Sequence, residues 1–134
     1  MRAHRYNSSP RRLCGRALHG VRRRPDDEIV VLSQVLAHAV NNGYQGYHDL
    51  EVRSVNGHKV KNLRHMKELV EGVAEEMNHS DGDDVARRWI EIMLEGSRLV
   101  VIERSVAMEA TQEILENFRV SHMCSADLID DQRT

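Results

Sequence analysis

The hydrophobic and polar positions alternate most clearly just before Asn56-Gly57. A period of about two over residues 49–55 predicts a half-buried strand. The Asn-Gly pair favours a type I′ hairpin turn, because both of its residues tolerate positive φ. His58 to Val60 would form the return strand. We therefore expect a tight two-stranded hairpin here.

After this hairpin the apolar residues recur at helical spacing. Asn62 is predicted to cap the start of a helix, and Gly72 lies near its end. One face of the helix is apolar and would pack on a sheet. The residues of that face are Leu63, Met66, Leu69, Val70 and Val73.

Two other apolar regions predict further strands. Residues 29–36, IVVLSQVL, form a continuous run that is typical of a strand buried on both faces. Residues 89–94, WIEIML, and 98–103, RLVVIE, predict a second hairpin that turns at Glu95-Gly96. The core should consist mainly of Val, Leu and Ile, because the chain has only five aromatic residues.

Helical segments are predicted beside these strands. Residues 37–42 could form one helical turn that ends at Gly43. Ser105 is predicted to cap a longer helix. The polar residues 125–134 are expected to fray. The predicted buried face of the longer helix comprises Val106, Ala110, Ile114, Leu115 and Phe118.

The net charge of −2 hides an uneven distribution. Residues 1–25 carry eight arginines and no acid, and the 11 basic and 21 acidic residues that follow leave −10 on residues 26–134. The basic segment is compatible with an organelle transit peptide, a nucleic-acid-binding arm, or a linker or extension of the domain. Pro10 and Pro25 interrupt a continuous amphipathic helix, and the acidic remainder would repel phosphate.

A polar, acidic stretch interrupts the pattern at residues 74–87. Asp81, Asp83 and Asp84 faintly suggest a calcium loop, but the spacing and the closing Glu of an EF-hand are missing. We interpret the stretch as an acidic surface insertion.

A search for catalytic and metal-binding motifs is mostly negative. The eight histidines show no H-E-x-x-H pattern, and Cys14 and Cys124 lack metal-like spacing and are expected to be free thiols. No serine lies in a G-x-S-x-G or G-N-S-G-G context, no glycine-rich phosphate loop occurs, and no apolar stretch approaches the length of a membrane span. We expect no cofactor, no metal and no catalysis by this chain.

Several separate motifs, in this order, resemble the C-terminal PDZ-like domain of plant-type Deg proteases. They are IVVLSQVLAHAVNNGY, VNGHKVKNLRHMKELVE, and RLVVIE followed by a helix and SADL. Deg proteins are ATP-independent serine proteases of the Do-like (HtrA) class. The upstream SSPRRLCGRAL resembles the segment that leads into this domain, which favours a linker or extension over a cleaved peptide.

The resemblance implies an α+β fold, a PDZ-like, small, partly open antiparallel β-barrel or sandwich capped by two main helices. The implied domain covers residues 26–130, with the insertion at 74–87, the Arg-rich extension at 1–25 and a disordered tail at 131–134. It also implies an intracellular, soluble protein of an organelle, either chloroplast or mitochondrion.

PDZ domains hold an extended peptide between a strand and a helix, where the peptide adds as a further strand. The acids Asp26, Asp27 and Glu28 stand where the family usually offers a glycine-rich turn to a C-terminal carboxylate, so we expect internal peptide segments to bind instead. Met66 would serve the core first, and His65 is either a surface or a groove residue. The implied groove residues are Ile29, Val30, Val31, Leu32, Leu63, Met66, Leu69 and Val70.

Two classes of function follow from these observations. The chain is either an assembly or substrate-access module of a Deg-type oligomer, or an autonomous peptide-binding adaptor without a protease partner. A nucleic-acid binder is disfavoured, because Tyr6 is the only aromatic residue in the basic segment that could stack on a base.

The missing nucleophile motif generates a first prediction. The purified chain should not cleave an unfolded substrate such as casein, measured by release of acid-soluble peptides. Cleavage that persists after repurification and is blocked by a serine-directed inhibitor would contradict this expectation.

Overall fold

The computed structural model describes residues 25–72 and 88–129. The predicted insertion at 74–87, the tail at 131–134 and nearly all of the extension at 1–25 lie outside the described residues. The described strands are β1 (Val31–Leu32), β2 (Leu50–Val55), β3 (His58–Lys59), β4 (Trp89–Leu94) and β5 (Arg98–Glu103). The α-helices are α1 (Leu63–Glu71), α2 (Arg104–Asn117) and α3 (Ala126–Ile129), and short 3-10 turns span Ala39–Asn41 and Glu95–Ser97.

The strands form a curled antiparallel sheet in the order β1-β2-β4-β5, and β3 also pairs with β2. β2 therefore lies at the centre, with β1 and β3 along one side and β4 along the other. An irregularity between Val52 and Ser54 shifts the register against β4, as a bulge does where a strand bends. The α+β class with a partly open antiparallel sheet is confirmed.

The first hairpin has the predicted turn. Asn56 has φ 48° and Gly57 has φ 80°, the two positive values that a type I′ turn requires. The turn also docks on β4, because the Asn56 N–H donates to the Glu91 carbonyl (2.8 Å) and the Asn56 side chain accepts from the Glu91 N–H (2.7 Å). The second predicted hairpin, β4 with β5, has the expected bounds.

Helix α1 begins and ends as predicted. Asn62 accepts a hydrogen bond from the His65 N–H through its side-chain oxygen (2.8 Å), so it is the N-cap. Gly72 ends the helix in the left-handed conformation, with φ 79°. Leu69 is 2% exposed and joins α1 to the sheet.

The core is aliphatic. Tyr44 and Tyr47 pack only at its border. This composition agrees with the expectation drawn from the scarcity of aromatic residues. The buried cluster comprises Val30, Leu50, Val52, Val55, Val60, Leu69, Ile90, Leu94 and Val100.

The prediction for residues 29–36 is wrong. Only Val31 and Leu32 form a strand, and Val31 is 40% exposed. A strand is buried on both faces only when other elements pack against both, whereas in this segment only Val30 is buried in the core. The apolar run therefore contributes one buried side chain and a short strand at the edge of the described sheet.

The predicted start and face of α2 also need correction. The helix begins at Arg104, so Ser105 lies inside it and does not cap it. Ala110 is buried, but Val106 and Phe118 are 43% and 44% exposed. The Arg104 guanidinium donates to the Val70 carbonyl at the end of α1, and this contact anchors the first turn of α2.

The expected fraying of residues 125–134 is wrong for its first part. Residues Ala126–Ile129 form α3, and Leu128 is 8% exposed. The Arg64 side chain of α1 donates to the Asp127 carbonyl (3.0 Å), which ties this helix to the domain. Burial of one leucine and this tertiary contact outweigh the polar composition.

Replacing Leu69 with Ala should lower the free energy of unfolding by about 2–5 kcal/mol, because the side chain fills the space between α1 and the sheet. Glu71→Ala on the same helix is the control. It removes only the Lys67–Glu71 ion pair (3.1 Å) and should change stability by about 0.5 kcal/mol or less. Chemical denaturation with equal midpoints for the two variants would contradict this assignment of the buried face.

Candidate functional site

The edge of β1 that faces away from β2 is the candidate binding surface, and we call residues 29–33 the β1 edge. Among the described residues, β1 pairs only with β2. The Val52 N–H donates to the Val30 carbonyl (2.8 Å), whereas the Glu51 N–H turns the other way and donates to the Glu95 carboxylate (3.2 Å). Val31 is opposite Glu51, so its own backbone groups also point away from the shared ladder.

The acidic turn before β1 is attached to the start of α1. The Glu28 N–H donates to the Lys61 carbonyl (2.7 Å), and the Asn62 side-chain amide donates to the Asp26 carbonyl (3.1 Å). The Asp26 and Glu28 side chains are exposed. One backbone N–H that could hold a ligand carboxylate is thus used inside the domain, and exposed acids lie beside it.

The structure places the predicted groove residues in two environments. Val30 and Leu69 are core residues at 7% and 2% exposure. Leu32, Met66 and Val70 pack against that core and are half-buried, as is Ile29. Val31 and Leu63 are the most accessible, at 40% and 48% exposure.

The predicted residues therefore divide between support and surface. Two hydrogen bonds, one between backbones and one from the Asn62 side chain, bring the starts of β1 and α1 together. Within the predicted set, Val31 and Leu63 offer the most apolar area to a ligand. The assignment of the whole set as a groove stays a prediction.

Tyr44 has a structural role that the sequence reading missed. Its hydroxyl accepts from the Val101 N–H (3.2 Å) and donates to the Val101 carbonyl (3.4 Å). These are the outward backbone groups of β5, the strand at the other end of the described sheet. Tyr44 thus takes the place of a strand partner for β5. A tyrosine in a polar loop carries no local signal of this contact, because its partner lies 57 positions away.

His65 lies in the first turn of α1 and takes part in two hydrogen bonds there. The His65 backbone N–H donates to the side-chain oxygen of Asn62, and the imidazole Nδ1 accepts from the Lys61 backbone N–H (3.2 Å). Partial burial, followed by the charges of Lys61 and His58, lowers the pKa of His65 from its usual value, and Glu68 opposes this shift.

Two negative findings apply to residues 25–72 and 88–129. No group of three or more His, Cys, Asp or Glu side chains is arranged to hold a metal ion there. No helix in this part of the chain is long and apolar enough to cross a membrane.

Comparison with known proteins gives a consistent family assignment. A family model described as a PDZ domain matches residues 1–127. The chain is 37% identical over 95 residues to "Putative protease Do-like 12, mitochondrial" and 29% identical over 119 residues to "Protease Do-like 2, chloroplastic", both of Arabidopsis thaliana. These matches cover 71% and 89% of this chain.

A third Arabidopsis thaliana relative, "Protease Do-like 4, mitochondrial", is 38% identical over 86 residues, which is 64% of this chain. The matched regions make up 17%, 18% and 14% of the lengths of the three relatives. The chain therefore spans less than a fifth of each of these proteins.

Proposed function

Because this chain belongs to the PDZ domain family, we propose that it is a non-catalytic protein-interaction domain of a Do-like serine protease. It would bind an extended protein segment by strand addition to the β1 edge. The backbone edge at Val31, which faces away from the one described strand that pairs with β1, is the observation that carries this proposal. Strand addition needs outward N–H and C=O groups on an edge strand, and apolar side chains beside them give specificity.

The preferred ligand in this proposal is an internal segment and not a free C-terminus. The Glu28 N–H is already bonded to Lys61, and Asp26 and Glu28 carry exposed carboxylates beside it. Each close pair of like charges costs about 1 kcal/mol in water and more when desolvated. A terminal carboxylate would gain little from this turn and would be repelled by it.

In a Do-like protease, such a domain would act in oligomer packing or in access of substrates to the proteolytic chamber. The names of the relatives support a location in a mitochondrion or chloroplast. The second candidate is an autonomous adaptor without a protease partner. A G-N-S-G-G-encoding exon upstream in the same gene would favour the first function, and its absence from the gene would favour the adaptor.

The ligand preference can be measured with displayed peptides. We expect random heptapeptides to be enriched by this chain when they lie inside a carrier protein, followed by a constant hydrophilic tail. The same library at a free C-terminus should yield no stronger binders, and amidation of a selected peptide should change its Kd by less than about threefold. A free acid that binds tenfold more tightly than its amide, a difference of about 1.4 kcal/mol, would contradict the proposed role of the acidic turn.

A proline at the β1 edge tests the binding mode. Val31→Pro removes the outward N–H and keeps the ladder of β2, because proline is tolerated on edge strands. A selected peptide should then bind at least about tenfold more weakly, as measured by calorimetry.

Leu99→Pro is the matched control, on the opposite edge of the described sheet. Leu99 is two positions from Val101 on β5, so its backbone points outward in the same way, and it is 42% exposed against 40% for Val31. It should leave peptide affinity within about twofold of the original chain. Equal affinity in the two variants, with both still folded by circular dichroism, would exclude strand addition at β1.

A further inference from the structure

The hydrogen bond between Lys61 and His65 depends on the protonation state of the imidazole. The backbone N–H of Lys61 supplies the only proton in this bond, so Nδ1 of His65 must present its lone pair. In a capping box the residue at this helical position is usually Glu or Gln, whose side-chain oxygen accepts from the N-cap backbone N–H, whereas the donor here is Lys61, one residue before the N-cap. Histidine performs a similar task here, but only while Nδ1 is unprotonated.

The residues that bond to His65 also hold the acidic turn before β1. Lys61 donates to His65 through its N–H and accepts from the Glu28 N–H through its carbonyl. Asn62 accepts from the His65 N–H and donates to the Asp26 carbonyl. His65 is thus connected to the turn twice, once through Lys61 and once through Asn62. We call these five residues the latch.

Charged groups around His65 act in opposite directions. The charges of Lys61, in the loop before α1, and His58, on β3, disfavour protonation of the His65 imidazole. The carboxylate of Glu68, on the same helix, favours it. The segment that the latch holds carries three further carboxylates, on Asp26, Asp27 and Glu28. Partial burial adds to the preference for the neutral imidazole.

We propose that the latch is sensitive to protons: protonation of His65 Nδ1 breaks the bond from Lys61 and loosens the acidic turn from the start of α1. The latch is closed when the imidazole is neutral and opens when it is charged. Its effect on ligand binding at the neighbouring β1 edge rests on the function proposed above. The latch itself does not, and it can be tested without any ligand.

The direction of the pH dependence follows from the lowered pKa of His65. A histidine that binds its proton less readily in the folded than in the unfolded chain stabilises the folded state fully above the unfolded value of 6.5. That contribution is lost as the pH falls from this value through the folded pKa. The latch should therefore be closed at pH 8 and should open on acidification.

Amide hydrogen exchange of the 134-residue chain, followed by NMR between pH 8 and pH 5, tests the latch. After correction for the intrinsic pH dependence of exchange, the protection of the Lys61 and Glu28 amides should fall about fivefold, the size expected for loss of one capping hydrogen bond. The midpoint of this fall should coincide with the titration of the His65 imidazole resonances in the same samples. Constant protection while His65 titrates would overturn the proposal.

Two variants separate the latch from general acid sensitivity. His65→Gln should keep both amides protected across the whole range, because a glutamine side chain accepts the same bond at every pH. His58→Gln should keep the fall in protection, with its midpoint moved to higher pH if at all, because the charge of His58 lowers the pKa of His65 and His58 makes no bond in the latch. A fall in protection that persists in His65→Gln would show that another group is responsible.

A peptide-binding measurement on the same samples distinguishes the two proposals. If the amides respond as expected and no peptide binds at any pH, the latch stands and the strand-addition function fails. If peptides bind and the amides do not respond, the function stands and the latch fails.

Discussion

The fold depends on the pairing of β2 along both of its sides. One side carries β1 and the short return strand β3, and the other side carries β4. Val55 at the end of this strand has no exposed surface, and Leu50 and Val52 are almost as deeply buried. Because the backbone groups of a buried strand must be bonded, β2 needs partners on both sides, and β1, β3 and β4 supply them. The irregularity near Ser54 lets one strand serve partners of different length.

Polar side chains complete the hydrogen bonding where the regular ladders stop. Asn56 bonds to Glu91 of β4, Glu95 accepts from the Glu51 N–H, and Tyr44 bonds to both backbone groups of Val101. These contacts make the two outer strands of the described sheet unlike each other. The outward backbone at the middle of β5 is bonded to Tyr44, whereas among the described residues β1 pairs only with β2. An exposed edge strand is an aggregation hazard unless it is short or covered, and β1 has only two residues.

The junction between the acidic turn and α1 connects folding with the proposed function. The N-cap of α1 and the attachment of residues 26–28 use the same two residues, Lys61 and Asn62. In the latch proposed above, a change in the cap therefore alters how the turn beside the β1 edge is held.

Local pattern in the sequence determined those elements whose signals are complete within a few residues. The Asn56-Gly57 turn, the bounds of β4 and β5, and the caps of α1 at Asn62 and Gly72 all belong to this group. Their conformations depend on φ preferences, on periodicity and on a side chain that bonds to backbone three residues away. The family resemblance rests partly on these segments and partly on IVVLSQVLAHAVNNGY and SADL.

The tertiary structure decided the features that depend on distant partners. The apolar run at 29–36 gives only a two-residue strand, because the hydrophobicity of a segment does not determine whether other elements pack against both of its faces. Arg104 in the first turn of α2 donates to the Val70 carbonyl, and Arg64 donates to the Asp127 carbonyl in α3. Tyr44 bonds to a strand 57 positions later in the sequence, and Glu28 bonds to Lys61, with β2 and β3 between them in the sequence. The periodicity of apolar residues predicts which face of a single segment is buried. These contacts join segments that are far apart in the sequence, so they exist only after the segments have packed together.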